Sequence, residues 1–62
     1  MTRKEIIKNL EAKNYDCFGD DLNLEMQLFP QEYKSIEEMI EDQTPINLSR
    51  FLVEDFPERY QD

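Results

Sequence analysis

Apolar residues recur at helical spacing near the start of the chain. Ile6, Ile7 and Leu10 fall on one side of a helix, and the stretch around them contains neither glycine nor proline. Thr2 and Glu5 have the spacing of a capping box, in which each side chain bonds a backbone N–H at the helix start. The pattern predicts a first helix that begins after Thr2.

A similar pattern predicts a second helix from Ser35. Ser35 and Glu38 repeat the cap spacing, and Ile36, Met39 and Ile40 form an apolar stripe.

Thr44-Pro45 predicts the start of a third helix, because threonine caps well and proline suits the first helical position. The inward stripe of this helix consists of Leu48, Phe51 and Leu52. Pro57 disfavours helical geometry at Phe56, so the helix is expected to end nearby.

The middle of the chain has a different period. Apolar residues at every second position alternate with Asn23, Glu25 and Gln27. They are Leu22, Leu24, Met26 and Leu28. Alternation of this kind is typical of a half-buried strand, and it predicts a hairpin over residues 15–29 in which Tyr15–Phe18 is the partner strand. The competing interpretation is a helix, because leucine, methionine, glutamate and glutamine are good helix formers.

These elements predict an α+β fold in the order helix, β-hairpin, helix, helix. The alternative is an all-α bundle of three or four helices. A chain of 62 residues has room for one domain, so residues 1–62 are expected to form a single acidic domain with a loose tail at 58–62.

Charge narrows the classes of function. The chain has 15 acidic and 7 basic residues, for a net charge of −8. The basic residues concentrate in the first thirteen positions, and only Lys34, Arg50 and Arg59 lie beyond them. Proteins that bind nucleic acid neutralise its phosphates with basic residues, so we expect so negative a chain to make no direct contact with nucleic acid. Anionic lipid headgroups repel it as well, and we expect no membrane binding. The uneven distribution of charge has an intramolecular explanation that is equally simple, in which the basic first helix only contacts acidic elements of the same chain and helps to hold them.

Candidate chemistry is sparse. There is no histidine, one cysteine and one glycine, which excludes histidine-based triads, zinc sites of histidine and cysteine, and phosphate-binding loops. The acidic stretch from Asp16 does not fit a calcium loop, because its third position is Phe18. We therefore expect no enzyme activity, no cofactor and no metal. Cys17 is alone, which favours a reducing cytoplasmic setting, and we expect it to be a small buried side chain.

Acidic residues in the second half of the chain are the strongest functional signal. No basic residue occurs between Ser35 and Ser49. The candidate partner-binding residues are Glu37, Glu38, Glu41, Asp42, Glu54, Asp55 and Glu58. Like charges at i,i+4 spacing cost roughly 0.2–0.5 kcal/mol per pair, which favours a role in binding. The competing interpretation is that the negative charge serves solubility alone.

The sequence predicts a protein-interaction module that acts as an inhibitor or adaptor on a larger protein with a basic surface. Where that surface holds DNA or RNA, the carboxylates would mimic phosphates. Small inhibitors from phages and mobile elements share this size and charge, which is an analogy and not a family resemblance. The alternative is a self-assembling structural or regulatory subunit, a homodimer whose contact is a patch of exposed aromatic side chains.

Overall fold

The computed structural model describes residues 1–62 and consists of helices without a sheet. Its elements are α1 (Arg3–Glu11), a 3₁₀ turn (Asp16–Phe18), α2 (Asp21–Leu28), α3 (Ile36–Gln43) and α4 (Pro45–Asp55). Helix α4 packs against α1, α2 and α3, and α2 also packs against α3. The predicted α+β fold is therefore wrong, and the all-α alternative is correct.

The hairpin prediction fails because α2 occupies the segment that was expected to be a strand. Leu22 is buried and Met26 is half-buried, but Leu24 and Leu28 are exposed. Alternating residues thus do not share a face, and the favourable helix propensities of this segment prevail over its two-residue period. The segment from Tyr15 to Phe18 is likewise a 3₁₀ turn and not a strand.

Three helix starts that the sequence predicted are confirmed. At α1, Thr2 and Glu5 form both bonds of a capping box. At α3, the Ser35 hydroxyl accepts a hydrogen bond from the Glu38 N–H at 3.1 Å. At α4, the Thr44 hydroxyl accepts from the Asn47 N–H at 3.3 Å.

Thr44 joins α3 to α4 with no intervening loop. Its backbone has φ +72°, and it is the C-cap of α3 as well as the N-cap of α4. A β-branched residue is strained in this conformation, but the Thr44 side chain compensates in part by capping α4. The sharp turn places α3 directly beside α4.

One apolar core is shared by all four helices and the C-terminal segment. It consists of Ile6, Leu10, Phe18, Leu22, Met39, Ile40, Leu48, Leu52 and Tyr60. The stripes predicted for α1, α3 and α4 supply six of these nine residues.

The C-terminal segment, expected to be a loose tail, is attached to the start of the chain. The Arg3 N–H donates to the Gln61 carbonyl at 2.8 Å, and the Gln61 N–H donates to the Met1 carbonyl at 2.9 Å. Tyr60 lies in the core between these contacts and α2. The two ends of the chain therefore form one corner of the bundle.

Cys17 is exposed, so the prediction of a buried cysteine is wrong. Its thiol donates to the Asn14 carbonyl at 3.3 Å. Partial desolvation of the sulfur atom, together with the nearby charge of Asp16, raises the pKa of the thiol. A raised pKa disfavours the reactive thiolate.

No helix in this fold combines the length and the apolar content that crossing a membrane requires.

Candidate functional site

The acidic residues of α3 all lie on the surface. Glu37 and Glu38 are in its first turn, Glu41 and Asp42 follow one turn later, and all four are exposed. We call these four residues the α3 carboxylates. Negative charge is favourable near a helix N-terminus and unfavourable near its C-terminus, so Glu41 and Asp42 oppose the dipole of the helix.

No cation of the chain neutralises the α3 carboxylates. The two ion pairs in the structure are Arg3–Asp62 and Arg59–Asp21, and neither involves α3. Of the cations near the start of the chain, Arg3 alone forms an ion pair, and it does so with the C-terminal residue. The intramolecular interpretation of the charge asymmetry therefore does not account for α3.

Asp42 differs from the other α3 carboxylates because it has a hydrogen-bond partner. The Tyr33 hydroxyl donates to Asp42 Oδ2 at 2.5 Å and accepts a hydrogen bond from Gln43 Nε2 at 2.8 Å. The hydrogen bond to Asp42 raises the pKa of the Tyr33 hydroxyl. Asp42 therefore contributes to the local structure as well as to the charge of α3.

The other predicted partner-binding residues lie near the end of α4. Glu54, Asp55 and Glu58 are all exposed. Helix α3, which carries the first acidic group, packs against α4, at the end of which the second group lies. Glu54 and Asp55 also face the buried Glu25 of α2, a neighbour that the sequence analysis did not anticipate.

Two acidic side chains of α2 are buried, and the sequence analysis did not identify either of them. Asp21 is 2% exposed, and Glu25, one helical turn later, is 1% exposed. A buried carboxylate without partners is strongly destabilising, so each of them needs an explanation.

The carboxylate of Asp21 is fully engaged. Arg59 forms an ion pair with Asp21 Oδ1, and the Tyr60 hydroxyl donates to Oδ2 at 2.6 Å. Burial and this hydrogen bond raise the pKa of Tyr60, which keeps its hydroxyl protonated as the donor. Asp21 thereby attaches the C-terminal segment to α2.

Glu25 has no such set of partners. Its Oε1 atom is buried and makes no hydrogen bond. Burial, a hydrogen bond shared with Asp55, and the negative charges of Asp55, Asp21 and Glu54 raise the pKa of Glu25 to about 8. At neutral pH the side chain therefore holds a proton that it can share with Asp55.

Glu25 lines a surface pocket of about 500 Å³, which we call the α2–α4 pocket. Its lining residues are Glu25, Leu28, Phe29, Pro30, Phe51, Glu54 and Asp55. The rings of Phe29 and Phe51 meet edge to face with 5.2 Å between their centroids. The pocket thus combines three acidic side chains with an aromatic wall.

The two-residue period of this segment gives no sign of the pocket, because it places Glu25 on the polar face of a strand. Helical spacing from Leu22 reaches Glu25, Met26 and Phe29, all of which point inward in the structure. A helical interpretation would therefore have placed one glutamate among buried positions, which is a signal of a special site.

The aromatic dimer patch has little basis in this structure. Each of the seven aromatic side chains is buried or half-buried. The exposed large apolar residues are Leu24, Leu28 and Ile46. Self-association stays a prediction that these observations do not favour.

No three histidine, cysteine, aspartate or glutamate side chains are arranged to hold a metal ion. Comparison with known proteins found no matching family model, no matching curated protein and no matching solved structure.

Proposed function

We propose that this chain is a small acidic interaction module, an inhibitor or adaptor that docks on a basic surface of a larger protein. The observation that carries the proposal is the state of the α3 carboxylates, which are exposed and have no cationic partner in the chain. Glu54 and Asp55 extend the acidic set onto the neighbouring helix α4, and Glu58 follows the end of that helix. The proposal assigns no catalytic activity and no cofactor to the chain.

Charge placement supports docking over solubility alone. A surface helix that serves solubility usually has both signs of charge interspersed. Here α3 has acidic residues in both of its turns and no basic residue in its last turn, where a cation would favour the helix dipole. A basic partner would remove the repulsion between these carboxylates on binding.

The partner that fits best is a protein whose basic surface binds nucleic acid. Carboxylates on a short helix can occupy positions that phosphates would take, and association would be fast and salt-dependent because opposite potentials steer the encounter. We place this activity in the cytoplasm, in agreement with a lone exposed thiol that has no disulfide partner.

The test compares two triple variants with the same change in charge. One replaces Glu37, Glu38 and Glu41 by glutamine and leaves Asp42 in place because of its bond with Tyr33. The control replaces three other exposed carboxylates that form no ion pair, Glu11, Asp16 and Asp20, by their amides.

Both variants and the parent chain are immobilised, and proteins retained from a host lysate at low salt are identified and purified. Association and dissociation rates are then measured at 50 and 300 mM NaCl, with duplex DNA as a competitor. We expect the α3 variant to bind at least about tenfold more weakly, mainly through a slower association rate, and the control to change by less than threefold. Equal weakening by both variants, or none by the α3 variant, would contradict the proposal.

A further inference from the structure

The α2–α4 pocket has a feature that packing does not explain. Glu25 Oε1 is buried without a hydrogen-bond partner, although the pocket beside it has room for a side chain. Buried polar atoms are almost always bonded, and the one group that bonds the Glu25 carboxyl group is the carboxyl group of Asp55, so Oε1 stays an acceptor that no donor of the chain fills. The neighbouring Glu54 and Asp55 are acceptors and add negative charge at the same place.

The lining of the pocket specifies the chemistry of a donor from outside the chain. Carboxyl oxygens require N–H or O–H donors, and their combined charge favours a cation. Phe29 and Phe51 form the aromatic wall, and an aromatic face attracts a flat cation. The chain itself makes such a contact nearby, because the Arg50 guanidinium lies 5.5 Å from the centre of the Phe51 ring.

We propose that the α2–α4 pocket receives an arginine side chain of the basic partner, with Glu25, Asp55 and Phe51 as its main contacts. This inference rests on the proposed function and adds a specific subsite to it. A guanidinium suits the pocket better than an ammonium, since it is planar, weakly hydrated and able to bond two carboxyl groups at once while stacking on a ring.

Entry of the cation is coupled to loss of a proton. In the free chain, Glu25 and Asp55 share a proton, and the other charges that face Glu25 are Asp21 on its own helix and Glu54 on α4. Two cations of the chain lie near these residues: Arg59 is ion-paired with Asp21, and Arg50 lies over the Phe51 ring. When a guanidinium binds, the proton leaves to solvent and the ionised Glu25 accepts hydrogen bonds from the ligand in its place.

The experiment titrates the ¹⁵N-labelled chain with the peptide acetyl-Gly-Arg-Gly-amide and follows amide shifts by NMR. Peptides with lysine or with the neutral citrulline in place of arginine are the matched ligands. We expect saturable shifts at Glu25, Phe29, Phe51 and Asp55 with arginine, at least about threefold weaker binding with lysine, and none with citrulline. Affinity for the arginine peptide should rise at least about fivefold from pH 6.5 to 8.5.

Two variants isolate the pocket. Glu25→Gln keeps the size of the side chain but cannot ionise, so binding should weaken at least about fivefold at pH 8.5 and lose its pH dependence. Asp55→Asn changes an exposed position and should also weaken binding, with little effect on the buried core. Glu11→Gln on α1 removes one exposed charge that belongs neither to the pocket nor to the α3 carboxylates, and it should leave the affinity within about twofold.

Several outcomes would overturn the subsite. These are equal binding of citrulline and arginine peptides, a pH dependence that survives in Glu25→Gln, and shifts confined to α3. Saturable binding of CaCl₂ at the same four residues, more tightly than the arginine peptide, would assign the pocket to a metal instead. Shifts confined to α3 would still leave docking through α3 intact. The opposite result is also informative. If the arginine peptide binds at the pocket but the α3 triple variant binds the host partner with normal affinity, the subsite is supported and the proposed docking surface on α3 is wrong.

Discussion

Helices α2 and α3 have eight residues each and carry acidic side chains in opposite environments. The two carboxyl groups of α2 that face inward, Asp21 and Glu25, are almost completely buried. The four of α3 are exposed and have no cationic partner. Acidic composition alone therefore gives no information on what a carboxyl group does in this fold.

The difference is one of free energy. An exposed carboxylate retains its hydration, so its interactions with neighbours amount to a few tenths of a kcal/mol. A buried one loses hydration and needs bonds of equal strength in return. Asp21 obtains them from Arg59 and Tyr60, whereas Glu25 does so only by keeping a proton and sharing it with Asp55. Substitutions of carboxyl groups in the two helices should therefore change the free energy of unfolding by different amounts, with a different pH dependence and with opposite sign.

Asp21→Asn should give the largest effect. The amide cannot pair with the Arg59 guanidinium, and it places N–H donors in a buried site that was built for a carboxylate. We expect the free energy of unfolding to fall by about 2–3 kcal/mol, the value of buried hydrogen bonds to a charged group. Urea denaturation measures this loss. The control Asp20→Asn changes the adjacent exposed residue and should stay within about 0.5 kcal/mol. Equal effects of the two substitutions would show that Asp21 does not hold the C-terminal segment.

Glu25→Gln should show its effect in the pH dependence of stability. The pKa of Glu25 is about 8 in the folded chain and about 4.5 without the fold, so folding takes up a proton between these values. Stability from this group is complete below pH 4.5 and declines as pH rises towards 8, by a few kcal/mol at most. Glu25→Gln lacks this decline.

The measurement is urea denaturation of both chains at pH 5, 6.5 and 8. The parent chain should lose stability relative to Glu25→Gln across this range. Carboxyl groups with ordinary pKa values titrate below about pH 5, so the window separates the buried group from them. If the stability of the parent chain and of Glu25→Gln changed with pH in the same way, ionisation of Glu25 would not destabilise the fold. The carboxyl groups of α2 and α3 would then differ only in exposure.

The same contrast explains which parts of this fold were predictable from sequence. Helices α1, α3 and α4 can be predicted from their caps at Thr2, Ser35 and Thr44, and from apolar stripes that face the core. Their caps and stripes are local signals, so no knowledge of the partner helices was needed.

Helix α2 was mispredicted because of a buried acidic residue. Glu25 occupies an inward position between Leu22 and Met26, which interrupts the helical stripe and leaves an apparent two-residue period. The partners that make Asp21 tolerable in the interior, Arg59 and Tyr60, lie 38 and 39 positions away in the sequence. Such pairings are set by tertiary packing, so the attachment of the C-terminal segment was not predictable. The one local signal of the α2–α4 pocket was the helical spacing that places Glu25 among buried positions.

Substitutions in α3 should change the free energy of unfolding least, and the sign of each change is the quantity that tests the role of the helix dipole. Glu41→Gln removes the like-charge pair with Glu37 and a negative charge that opposes the helix dipole, so it should stabilise the chain by roughly 0.2–0.5 kcal/mol.

Glu37→Gln also relieves that pair, but it removes a negative charge from the first turn, where the dipole favours it. Its net effect on stability should be close to zero. Thermal denaturation at low ionic strength resolves this difference, and 0.5 M NaCl should reduce it because exposed charges are screened. If the α3 carboxylates serve docking, both substitutions should nevertheless weaken partner binding to a similar degree, since a partner senses the charge and not its position relative to the helix dipole. Affinities that followed stability instead would indicate that these substitutions act through the helix itself, and the α3 carboxylates would then differ from the buried pair of α2 in magnitude alone.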